Sequence, residues 1–179
     1  EHIAKMTLTN ETTKDDVNMF PDGAETANDM PANLSVGIGF KPFSKLNLSA
    51  GYHLYFDKSA NYGKKIDNVF VPNSEVIDKD FWEAAVGLEY ELSEKLLLSA
   101  GYLLAKTGVN DAFHSDLSHS LSSNSVGIGG RFMVTGNIGV NLGFMTTLNK
   151  SYTKLFGTAY KETYKRATNV AALGVDFKF

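Results

Sequence analysis

Apolar and polar residues alternate with a period of two along most of this chain, the period at which successive side chains point to opposite faces of a β-strand. The last eleven residues show it plainly. Ala171, Leu173, Val175, Phe177 and Phe179 fall on one side, and Gly174, Asp176 and Lys178 on the other. The same pattern predicts strands from Asn33 to Phe40, Lys45 to Asp57, Trp82 to Leu92, Leu96 to Leu104, Ser125 to Met133 and Ile138 to Leu148. A short run from His2 to Thr9 makes an eighth strand. Tight turns are predicted at Lys41-Pro-Phe-Ser44, where Pro42 cannot continue a ladder, at Ser93-Glu-Lys95 and at Val134-Thr-Gly-Asn137. Polar connections occupy 10–31, 58–80, 106–123 and 149–168.

The strand from Trp82 to Leu92 decides between environments. Trp82, Ala84, Val86, Leu88, Tyr90 and Leu92 share one face, and Glu83, Glu89 and Glu91 lie on the other. A soluble β-sandwich would have to bury those carboxylates or expose the apolar row to water. In a transmembrane barrel the apolar row meets lipid and the carboxylates meet the lumen.

An internal repeat supports the same architecture. Val36-Gly-Ile-Gly with Ser49-Ala-Gly-Tyr52 recurs as Val86-Gly-Leu-Glu with Ser99-Ala-Gly-Tyr102 at identical spacing, and Val126-Gly-Ile-Gly with Asn141-Leu-Gly-Phe144 is a slightly longer third copy. The repeating unit is a hairpin. Short and long connections alternate along the chain, as they do in outer-membrane barrels. The expected fold is therefore all-β: an antiparallel transmembrane β-barrel of about eight strands, a single domain over 1–179, either complete or part of a larger barrel. With the long loops outside, Phe179 lies at the periplasmic rim. Phe40, Tyr90, Phe132 and Phe179 make a lower aromatic girdle, and Tyr52, Phe56, Trp82, Tyr102 and Phe144 an upper one.

Composition narrows the function classes. The chain has 179 residues, a formal charge of -3 and no cysteine, so no basic face dominates, which argues against nucleic acid, and there is no disulfide or thiolate metal site. No apolar stretch is long enough for a spanning helix, which leaves barrel strands untouched because they never form a hydropathy block. Of 16 glycines, ten fall on the inward face: Gly37, Gly39, Gly51, Gly87, Gly101, Gly127, Gly129, Gly139, Gly143 and Gly174. They make room for a plug or ligand in a wide barrel, or relieve crowding in a narrow one.

The stretches Met30-Pro-Ala-Asn-Leu-Ser-Val-Gly-Ile-Gly-Phe-Lys-Pro42, Leu46-Asn-Leu-Ser-Ala-Gly-Tyr52 and Phe81 to Tyr102 resemble the C-terminal half of FadL-type outer-membrane transport proteins. The resemblance covers most of 30–179. It implies passive uptake of hydrophobic compounds such as fatty acids across the outer membrane of a Gram-negative bacterium. Three departures stand out: the family's N-terminal hatch with its Asn-Pro-Ala signature is absent, only about eight strands can be counted against the family's fourteen, and Gly108-Val109 stands where the family usually has Pro-Val. The chain thus looks like a C-terminal piece of such a transporter or a small barrel built from the same hairpins. The alternative function is a non-transporting eight-stranded structural or surface-binding barrel. The C-terminal aromatic strand resembles the signal read by the barrel-assembly machinery.

Candidate ligand-binding residues follow from these faces. Glu89 and Arg131, both inward near the short turns, form either a charge pair tuning permeation or, in the favoured reading, an ordinary interior salt bridge. His53, Tyr55 and Asp57 make an inward polar row able to receive a head group, or simply a wet lumen wall. Phe70 and Phe113, with Val69, Val71 and Leu155, are apolar loop residues suited to first capture of a hydrophobic small molecule. In the loop 111–122, Ser120, His114, His119 and Asp116 have the residue types of a hydrolase triad, but the same types populate ordinary exposed loops, and the chain is read as non-enzymatic, without metal or cofactor. Lys150, Lys154, Lys161, Lys165 and Arg166, interleaved with Tyr152, Tyr160 and Tyr164, face either water or the anionic lipopolysaccharide of the membrane lipid surface.

Overall fold

Alternation that leaves one face apolar and the other small or polar builds a sheet, and a seven-stranded antiparallel sheet dominates the computed structural model. The structure describes residues 5–7, 23, 25–62, 64–66, 69–115, 119–156 and 160–178. Strands β1 (Lys5–Thr7) and β2 (Glu25–Ala27) pair with each other. The main sheet takes β3 (Asn33–Phe43), β4 (Leu46–Tyr55), β7 (Phe81–Ser93), β8 (Leu96–Lys106), β9 (Ser123–Met133), β10 (Ile138–Asn149) and β13 (Ala167–Phe177), in the order β13-β10-β9-β8-β7-β4-β3. Two further ribbons are β5 (Lys65–Ile66) with β6 (Val69–Phe70), and β11 (Tyr152–Phe156) with β12 (Tyr160–Tyr164). The one helix among the described residues is α1, Asn73–Val76.

The three predicted hairpins form as expected, and the closing strand pairs with β10 from Ile138↔Phe177 to Leu148↔Ala167. Other expectations need correction. The segment predicted as an eighth barrel strand, His2 to Thr9, is described only at β1, which pairs with β2 and not with β13. Edges β3 and β13 have no strand between them among the described residues, so no closed barrel is formed there. Phe179 lies outside the described residues. Pro42 does not end its strand: β3 continues to Phe43, because an edge strand tolerates a missing donor that faces away from the ladder. Within the connection 149–168, β11 and β12 pair with each other, where a plain polar loop is expected from sequence.

Contacts divide the chain into two compact units, residues 1–34, 54–81 and 108–119 in the first, and 35–53, 82–107 and 120–179 in the second. The first is built from what the sequence reads as polar connections. Val76 and Ile77 are fully buried with Ala60, and Asn73, only 1% exposed, ties α1 back to the start of its own segment. Its Nδ2 donates to the Asp57 carbonyl at 2.8 Å, and its backbone N–H to Asn61 Oδ1 at 3.1 Å. Ile77 bridges to Val109, and the Asp78 N–H donates to the Gly108 carbonyl. Burying α1 and its flanks therefore depends on polar side chains that satisfy loop backbone groups.

The second unit carries the strand faces. Register places the repeat's glycines in one row, Gly87↔Gly101↔Gly127. The repeat also encodes a packing contact. A Cβ on Gly87 would come 2.9 Å from Ser49 Oγ, one on Gly129 2.8 Å from Ser99 Oγ, and one on Gly174 3.7 Å from Asn141 Cβ. Each copy's Ser or Asn thus lies over the glycine of the following strand, which explains why serine and glycine recur together.

Candidate functional site

The small-residue face of the second unit bounds a trough of about 1160 Å³. Three cross-strand rows make its floor. At the short-turn end lie Glu91, Leu97, Arg131, Asn141 and Gly174. Next come Glu89, Ser99, Gly129, Gly143 and Ala172, then Gly87, Gly101, Gly127, Met145 and Val170. Charge and amide groups therefore cluster at one end. Five glycines in the next two rows keep the floor low, Gly87 and Gly129 beneath the hydroxyls of Ser49 and Ser99, with Met145 and Val170 about two-fifths exposed beside them. Such a floor can accept an apolar guest against glycine, Met145 and Val170 and still offer hydrogen bonds at one end.

Glu89 and Arg131 occupy this floor but do not pair. Register sets Arg131 in the row of Glu91, and Glu89 accepts from Asn47 Nδ2 at 3.2 Å. Among the described residues no ion pair joins Glu89 to Arg131, so the interior salt bridge expected from sequence is absent. The two lie one pleat repeat and two strands apart, which equal height along a barrel axis does not capture. Asn141 Nδ2 donates to Asp176 Oδ2 at 2.8 Å, and His53 Nδ1 shares a hydrogen bond with Ser35 Oγ at 2.9 Å. With Glu89, Glu91 and Asp176 set against Arg131, this face is net acidic.

The other candidates belong to the first unit. Tyr55 packs its ring against Phe81 at 5.5 Å, and Asp57 Oδ1 accepts from the Phe81 N–H at 2.8 Å. Burial pushes the Asp57 carboxyl above its ordinary value, against the pull of its backbone hydrogen bonds. Burial, aided by the charges of Asp57 and Asp80, also pushes the Tyr62 phenol up to about 12. Thus Tyr55 and Asp57 act in loop anchoring, whereas His53 is tied to β3. Phe70 and Phe113 connect through Lys64: the Val71 N–H donates to the Lys64 carbonyl, while Lys64 Nζ donates to the Phe113 carbonyl at 2.8 Å and sits 4.6 Å from the centre of its ring. Val69 and Phe70 remain exposed, and Leu155, in the second unit, is the most exposed of the capture candidates.

Among the described residues the Ser120 hydroxyl donates to Thr107 Oγ1 at 3.1 Å and not to a histidine. His114 is buried edge-on to Phe113, His119 is exposed, and Asp116 lies outside the described residues. No cluster of three metal-ligating acidic or histidine side chains occurs among the described residues.

Sequence reading missed Asn47, Asn141, Met145, Lys64 and Asn73. Strand parity alone puts Asn47 and Asn141 on the inward face. Met145 is an apolar residue on that face, hidden by its apolar neighbour Phe144. Lys64 and Asn73 carry no local signal, because their partners are distant in sequence. No family model and no curated protein matches the chain.

Proposed function

We propose that this chain forms lipid-facing wall of an outer-membrane β-barrel, and that its glycine face borders a passage for hydrophobic compounds. The observation that carries the reading is the other face of the sheet. Large apolar side chains from all seven strands are exposed there, Ile38 at 71%, Leu142 at 63% and Leu173 at 73% among them. A contiguous apolar patch of that extent is costly in water and is the normal surface of a protein in lipid.

The rows give the patch a height. Ile138–Phe177 is followed by Leu96–Phe132–Val140–Val175, Tyr90–Leu98–Gly130–Leu142–Leu173, Leu88–Ala100–Ile128–Phe144–Ala171 and Val86–Tyr102–Val126–Thr146–Asn169. From Ile138 to Thr146 is roughly 27 Å of strand, or about 20 Å of height at a barrel tilt of about 40°. That is close to the apolar band of about 25 Å on outer-membrane barrels. Tyr52 and Trp82, with ring centres 5.9 Å apart, suit the upper interface. The resemblance to FadL-type transporters and the low, glycine-rich floor favour hydrophobic cargo, moved without catalysis.

Reconstitution into liposomes tests this. The protein should insert and speed entry of a fluorescent fatty-acid analogue, and Gly143→Trp, which fills the floor where an added Cβ meets nothing closer than Ala172 Cβ at 4.0 Å, should insert equally while returning entry to that of empty liposomes. Replacing Phe70 and Phe113 together by Asp should also slow entry. Insertion with wild-type entry no faster than in empty liposomes would support a non-transporting wall instead.

A further inference from the structure

We infer that the β11–β12 hairpin is a cationic arm that binds the phosphate-bearing headgroups of the surrounding bilayer; this rests on the lipid-wall reading above. Residues 150–166 hold five cations, Lys150, Lys154, Lys161, Lys165 and Arg166, against one carboxylate, Glu162, a net +4 in a chain whose formal charge is -3. Charge is thus concentrated in one short ribbon.

The ribbon has a built geometry. It grows from the long-connection end of the β10–β13 ladder, where the Asn149 N–H donates to the Arg166 carbonyl at 3.1 Å and the Lys150 N–H to the Ser122 carbonyl at 2.7 Å. Tyr152 stacks on Tyr164 with ring centres 6.2 Å apart, and Thr153 and Thr163 share a hydrogen bond at 3.1 Å. The Tyr164 hydroxyl donates to the Glu162 carboxylate, which also faces Lys154 in register. The one acid of the arm is therefore engaged locally. Among the described residues, Lys150, Lys161, Lys165 and Arg166 make no ion pair with a carboxylate. Net positive charge is left for an outside anion.

Position selects the anion. Along β10 the exposed apolar residues Leu142, Phe144 and Leu148 lead directly into Lys150 and Tyr152, and Tyr160 and Leu155 are 60% and 72% exposed. An apolar band giving way to tyrosine and lysine is the profile of a chain leaving hydrocarbon for headgroups. A basic segment there attracts anionic lipid at about 1 kcal/mol per cation near the surface, about fivefold in preference for each headgroup held. A soluble polyanion would satisfy the charges but would not account for the apolar band beneath them.

The test uses the whole protein in phosphatidylcholine bilayers doped with spin-labelled phosphatidylglycerol or spin-labelled phosphatidylcholine, reading the lipid that is motionally restricted at the protein surface. Phosphatidylglycerol should be favoured about fivefold. The preference should fall to parity when Lys150, Lys161, Lys165 and Arg166 are all replaced by Gln. It should also fall to parity for the unaltered protein in molar salt, which needs no variant to fold. Restricted lipid with no preference between the two labels overturns the arm and leaves the wall reading intact. No restricted lipid of either kind overturns both. A preference that survives the quadruple substitution removes these residues from the interaction.

Discussion

Asp57 is a residue whose neighbours disagree about its charge. Its backbone hydrogen bonds favour the carboxylate, while burial and Asp80 disfavour it, and burial wins. The folded-state pKa is therefore above the ordinary 3.8. A raised acid pKa means the folded state holds the proton more tightly than the unfolded chain. Its penalty is absent below 3.8 and sets in as pH rises through the folded value. Asp57→Asn keeps an acceptor for the Phe81 N–H and removes the charge. The melting temperature of the unaltered protein should therefore drop relative to this variant as pH is raised through that window; parallel melting curves that track each other at every pH would contradict it. Tyr55, Asp57 and Phe70 were legible as candidates from face and residue type, but their partners Phe81 and Lys64 were not, because no short-range pattern marks a contact across a loop.

Elements in this protein form for two different reasons. Sheet strands follow from alternation, and their hairpins from short turns; hence β7, β8, β9 and β10 match expectation to within a few residues. The segments 58–80 and 108–119 have no such period, and their described residues are held by side chains that answer backbone groups, Asn73 within the first and Asn110 between the two. Gly108 shows how tight that assembly is. A Cβ there would run into the Lys79 carbonyl and come 2.8 Å from Lys79 Cα, so the two segments approach more closely than any side chain allows. Gly108→Ala should destabilise this unit by about 1–3 kcal/mol. Hydrogen exchange should speed up at the Asp78 and Asn110 amides, which bond across the junction, and stay unchanged in β8 and β9. Gly108 thus has a local structural reason.

At the scale of the whole molecule, a count of directions constrains how the sheet could close. Seven antiparallel strands leave β3 and β13 running the same way. Pairing them directly would be parallel, so an all-antiparallel barrel needs an odd number of further strands between them. The lipid-wall reading also makes a prediction that a soluble sheet would not share. Leu142 sits in the middle apolar row at 63% exposure. Leu142→Arg should cost about 2–4 kcal/mol of stability in a bilayer. On a water-exposed face the same change would stay within about 0.5 kcal/mol. Urea titration of the protein in liposomes separates the two.

Strand positions, the two chemically distinct faces, the short turns and the hairpin repeat were determined by the sequence itself, because a period of two is a local property of backbone and side chain. The serine-on-glycine contacts were implicit in the repeat and became visible only with register. What only the tertiary structure decided were pairings between residues far apart in the chain: β1 with β2 and not with β13, Glu89 with Asn47 and not with Arg131, Lys64 with Phe113, and the buried Asn73. Those choices depend on pleat height, strand order and loop closure, and none of these is encoded by the residues on either side of a given position. The polar connections hide a core for the same reason: a few apolar groups, Ala60, Val76 and Ile77, gain burial only once distant amides have satisfied the backbone around them.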